Sequence, residues 1–103
     1  MVEESHVIEL LLGHGFSRQA NLGWKNKNGD RPARFVHPRV RRRGSLYVAP
    51  NYVSATGHFK ELEKKLAPSD RDHQGNPYWQ DNRLDDLLDV IREEYRSQQQ
   101  QAK

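Results

Sequence analysis

The chain has little from which to build a core. Leu, Ile, Val and Phe number 22 of its 103 residues, just above the fraction below which chains stay disordered. Its net charge is only +3, so self-repulsion does not oppose collapse. A folded domain is therefore expected, and the length allows one domain rather than two. In such a chain most large apolar and aromatic side chains are needed for packing. The absence of cysteine excludes a disulfide framework, a thiolate zinc site and a cysteine nucleophile. No apolar run approaches the roughly 20 residues of a membrane span. Met1 leads into Val2-Glu3-Glu4 without the basic and apolar regions of a secretory leader. A cytoplasmic protein with no cofactor and no membrane partner is expected.

Periodicity places helices at both ends. Val7, Ile8, Leu11 and Leu12 make one apolar stripe over Ser5–His14, and Gly13 and Gly15 are positioned to end that helix before Phe16. Leu84, Leu87, Leu88, Ile91 and Tyr95 give the apolar face of a last helix that Asn82 can cap. A third helix is expected from Ser54 or Thr56 to about Leu66, its stripe formed by Phe59, Leu62 and Leu66 and its end set by Pro68. Between the first two helical segments lie strands. Asn28-Gly29 is a strong hairpin signal joining Leu22–Lys27 to a strand containing Arg34-Phe35-Val36-His37. A second turn at Arg42-Arg43-Gly44-Ser45 leads into Leu46-Tyr47-Val48. The expected fold is a small single α+β domain over residues 1–96: helix, three-stranded antiparallel meander, helix, and a C-terminal amphipathic helix. Residues 67–81 read as a polar loop anchored by Tyr78-Trp79, and residues 97–103 as a disordered glutamine-rich tail.

The net charge conceals a segregation. Residues 1–16 carry three glutamates and no Lys or Arg, and residues 44–103 are mildly acidic. Residues 17–43 hold nine Lys and Arg against Asp30 alone. A cationic middle between acidic flanks directs a polyanion to one region and repels it elsewhere. The arginine run from Arg39 to Arg43 is the best single phosphate contact, because guanidinium groups are rarely buried unpaired. Trp24, Phe35 and Tyr47 fall one on each expected strand. Phe35 is assigned to the core, while Trp24 and Tyr47 are divided between packing and stacking on bases.

Other chemistry is thinly represented. The five histidines lack zinc-motif spacing. His37 lies beside Arg34 and Arg39, where neighbouring cations lower an imidazole pKa and suit it to act as a general base on a phosphodiester. Asp70, Asp72, Gly75 and Asp81 stand at positions 1, 3, 6 and 12 of a calcium loop. Gln74 and Pro77 break that pattern, and a polar connector is the better reading. No glycine-rich phosphate loop or nucleophile elbow is present.

The order of elements resembles the double-stranded RNA-binding-domain fold, and among its small versions the HicA-like toxins of bacterial toxin–antitoxin pairs. The similarity covers about residues 5–66. It rests on a leading helix running into His14-Gly15-Phe16, a hairpin ending Arg34-Phe35-Val36-His37-Pro38, a β run ending Val48-Ala49-Pro50 and a helix containing Lys60-Glu61-Leu62. The family implies metal-independent ribonuclease activity. Its catalytic histidine follows a Gly-Ser or Gly-Thr step, whereas Gly23 here precedes Trp24 and Lys25, so no catalytic residue carries over.

The first expectation is a nucleic-acid-binding protein, for RNA or DNA. Lys25, Lys27, Arg34, His37, Arg39, Arg41, Arg42 and Arg43 would meet phosphates, and Trp24 or Tyr47 would stack. The alternatives are an interaction or inhibitor module whose basic face docks an acidic protein, with a homodimer through the last helix, and a ribonuclease using His37.

Overall fold

The computed structural model describes residues 3–21, 25, 29, 31–39, 44–80 and 83–101. In chain order the elements are α1 (Glu4–Gly13), β1 (Ser17–Gln19), β2 (Ala33–Val36), β3 (Leu46–Ala49), β4 (Tyr52–Ala55), a 3₁₀ helix (Gly57–Lys64), β5 (Asp70–Arg71), β6 (Pro77–Gln80) and α2 (Arg83–Gln101). The strands form one antiparallel sheet in the order β1-β2-β3-β4-β6-β5. The α+β class is as expected. Among the described residues, however, the sheet has six strands where a three-stranded meander was expected.

α1 ends as its glycines suggest. Gly15 is left-handed at φ 91°, and its N–H donates to the Leu12 carbonyl at 3.3 Å while the Phe16 N–H donates to that of Leu11 at 3.0 Å. This paired closure is the Schellman arrangement, and it turns Phe16 back into the core, where it is buried.

Period-two alternation then divides the sheet into two faces. Phe35, Leu46 and Ala55 stand side by side in one register row, and Ala33, Val48, Val53 and Trp79 in the next. All are buried against Val7 and Leu11 of α1, Phe59 and Leu62 of the 3₁₀ helix, and Leu84, Leu87, Leu88, Ile91 and Tyr95 of α2. Every described helix thus packs on the same face. The apolar stripes read from the sequence are buried in the main, but Leu12 of the first is 51% exposed, and Ile8 and Leu66 are only partly buried.

Three expectations about elements need correction. The strand paired with β2 is Ser17–Gln19, not Leu22–Lys27; of the latter only Lys25 is described, and it is not in a strand. Ser54 is no helix cap but sits inside β4, and Thr56 caps the 3₁₀ helix without a side-chain bond to it. The Thr56 hydroxyl instead bridges to Ser45, accepting from its N–H at 3.1 Å and donating to its carbonyl at 3.3 Å. There the backbones approach so closely that a Cβ on Gly44 (φ 154°) would lie 2.5 Å from the Thr56 carbonyl oxygen. The expected loop over 67–81 contains the β5–β6 hairpin, with Trp79 fully buried and its indole N–H donating to the Leu66 carbonyl at 3.1 Å. α2 spans Arg83–Gln101; glutamine is a good helix former and no glycine or proline interrupts it. The Asn82 cap and the Asn28 half of the hairpin signal lie outside the described residues.

Candidate functional site

The face of the sheet opposite the core carries no described helix. One register row crosses it through all six strands: Gln19, Arg34, Tyr47, Ser54, Tyr78 and Asp70. A cation therefore stands beside an aromatic ring, then a small hydroxyl, a second ring and a carboxylate. Tyr47, Tyr52 and Tyr78 are all half-buried on this face, and the last two pack ring to ring at 5.8 Å and 58°. Strand alternation is the reason. The residues between the buried ones have no core to enter, and tyrosine suits a half-wet pleated surface.

Arg34 is held in place. Its Nε donates to Ser45 Oγ at 2.8 Å and its Nη1 to the Ala20 carbonyl at 3.4 Å. A guanidinium has five N–H groups, so a pinned Arg34 retains donors for a bidentate acceptor such as a phosphate or carboxylate.

Beyond Tyr47 the face dips into a pocket of about 140 Å³ lined by Tyr47, Ser54, Thr56, Asp72, Gln74 and Asn76. Its far wall is the β5–β6 turn. Asp72 builds that turn, its Oδ1 accepting the N–H groups of Gln74 and Asn76, each at 2.9 Å, and its Oδ2 accepting the Asn76 side-chain amide at 3.3 Å. The near-match to a calcium loop is thus a hairpin turn. Among the described residues no group of three His, Asp or Glu side chains is placed to hold a metal ion.

The residues singled out in the sequence separate. Arg34 and Tyr47 are cross-strand neighbours on the open face. Lys25 is exposed in the connection between β1 and β2. Arg39 turns to the helical side, its guanidinium 4.8 Å from the Tyr95 ring centre and its Nη2 donating to the Glu94 carbonyl at 2.8 Å. Trp24, Lys27, Arg41, Arg42 and Arg43 lie outside the described residues. His37 is placed in the interior, only 3% exposed, between the rings of Phe16 and Tyr95 at 4.8 and 4.6 Å.

The bonds of His37 fix its state. Nε2 donates to the His14 carbonyl at 3.0 Å and Nδ1 accepts the Arg39 backbone N–H at 3.1 Å. Burial pushes the imidazole below its usual 6.5; the His14 carbonyl works against this and the Arg39 charge works with it. Low pKa was the expected direction, but the ring is a neutral structural link with both nitrogens engaged, out of reach of a phosphate.

Comparison with protein-family models, curated proteins and solved structures finds no counterpart for the chain. Its function is therefore read from the open face alone. The members of that face missing from the sequence reading are Ser54, Tyr52, Tyr78 and the Asp72–Asn76 turn. The alternation of Tyr52-Val53-Ser54-Ala55 was the available signal, obscured because Ser54 also reads as a helix cap.

Proposed function

We propose that the chain binds single-stranded nucleic acid across the open face of the sheet, with Arg34 holding a phosphate and Tyr47 stacking on a base. The observation that carries this reading is the row of Arg34, Tyr47, Ser54 and Tyr78 on a face that no described helix covers. A rigid sheet bearing aromatic rings beside a cation suits exposed bases on a phosphate backbone. Lys25, exposed in the connection between β1 and β2, contributes a further positive charge. His37 takes no part, because a buried imidazole with its N–H given to the His14 carbonyl and its lone pair to the Arg39 N–H has neither left to offer a phosphodiester, which argues against cleavage through it.

Fluorescence anisotropy with labelled RNA and DNA oligonucleotides at low salt tests the proposal. Arg34→Gln and Tyr47→Ala are each expected to weaken binding about tenfold, the scale of one charge-assisted contact or one stacked base. Arg39→Gln is expected to leave affinity nearly unchanged, since that guanidinium is committed to Tyr95 and Glu94. No binding by the wild-type protein, or equal binding by the Arg34 and Tyr47 variants with folding intact, overturns it.

A further inference from the structure

We infer that the pocket between Tyr47 and the Asp72–Asn76 turn selects a nucleobase bearing an exocyclic amino group, and discriminates against uracil. This rests on the open-face reading and gives it a base preference.

The size is right for one flat ring. The pocket measures about 140 Å³, and an apolar cavity of roughly 150 Å³ in another protein accommodates benzene. Tyr47 supplies an aromatic wall, and Ser54 a small floor between the two tyrosine-bearing strands.

The polarity of the lining leans toward acceptors, the exposed Gln74 amide contributing both donors and an acceptor. The Thr56 hydroxyl donates its hydrogen to the Ser45 carbonyl at 3.3 Å, and the Ser54 hydroxyl to that of Pro77 at 3.4 Å. What both offer a ligand is lone pairs. The Asp72 carboxylate is an acceptor by nature. The Asn76 amide nitrogen gives one of its two N–H groups to Asp72, and its oxygen adds a further acceptor. A pocket rich in acceptors is complementary to N–H donors. Cytosine presents an amino group where uracil presents a carbonyl oxygen, and that oxygen would face the pocket's own acceptors at a desolvation cost.

Arg34 decides between a base and a cationic side chain. It stands next to Tyr47 in the same row, where it repels an arginine or lysine entering the pocket and attracts the phosphate attached to a base. The acceptor-rich pocket and the pinned guanidinium thus match two parts of one nucleotide.

The test compares labelled oligocytidylate and oligouridylate of about eight nucleotides, within the span a single small platform covers. Oligocytidylate is expected to bind about tenfold more tightly, as one charge-assisted hydrogen bond provides. Asp72→Asn, which keeps the acceptor for the turn but replaces a carboxylate oxygen with a donor, is expected to remove that preference. Ser54→Val, which raises the pocket floor with a residue suited to a strand, is expected to bring oligocytidylate down to the level of oligouridylate. Equal affinities in the wild type overturn the base preference while the open-face reading stands. A preference that survives both variants likewise overturns the pocket assignment. Binding to neither oligonucleotide, with or without binding to an arginine-rich peptide, overturns both readings.

Discussion

At the scale of the residue, His37 shows how a side chain can be located correctly in a sequence and given the wrong surroundings. Its neighbours Arg34 and Arg39 are the cations expected beside it, yet β2 directs Arg34 to the open face while His37 enters the core under Gly15. Sequence distance does not reveal which way a chain turns after a strand, and burial decided the role. A consequence follows for acid stability. The folded pKa lies below 6.5, so between those values the unfolded chain carries a proton that the folded chain does not. Stability is therefore expected to be fully present above pH 6.5 and to fall as pH drops below it. His37→Gln retains a donor for the His14 carbonyl and removes the titration. Thermal melts from pH 7.5 to 5 should show a shallower loss for the variant than for the wild type, and parallel curves would contradict the assignment. Tyr47, divided between packing and stacking in the sequence, is half-buried on the open face. A single aromatic in a short strand carries no mark of the face it takes until its pairing register is known.

At the scale of the element, the two α-helices were legible because each repeats its apolar residues over several turns. The short strands were not. Val53 and Ala55 alternate with Tyr52 and Ser54 over only four residues, too few to outweigh the capping signal of Ser54 and Thr56. β6 has the same length and begins with a proline, so Tyr78-Trp79 read as a loop anchor. The third helix is 3₁₀ over Gly57–Lys64, and its two buried residues, Phe59 and Leu62, are three apart, the spacing that eclipses in a 3₁₀ turn. The strand assignment of β6 is testable. Trp79→Ala should cost about 3–5 kcal/mol, as emptied aromatic core sites do, while exposed Gln80→Ala should stay within about 0.5 kcal/mol. Urea denaturation measures both. Similar costs at the two positions would rule out an inward-facing Trp79 on a paired strand.

At the scale of the whole molecule, the charge segregation is redistributed by the fold. Among the described residues the cations of the middle segment do not form one patch: Arg34 lies on the open face and Arg39 is engaged with α2, with the sheet between them. The acidic residues Asp70 and Asp72 close the opposite side of the open face. Few phosphates are thus in reach of Arg34, and log Kd should change with log salt by about 0.7 for each one neutralised on a single strand. Arg34→Gln should reduce that slope by about one such step, and an unchanged slope would remove Arg34 from the phosphate contacts. The two ends of the sheet have a different consequence. β1 is three residues long and β5 two, and the residues there include Arg18, Asp70 and Arg71, all exposed. Short charged borders give an incoming strand little backbone to pair with. In a concentrated solution, borders of this kind are expected to disfavour edge-to-edge stacking of one sheet on the next.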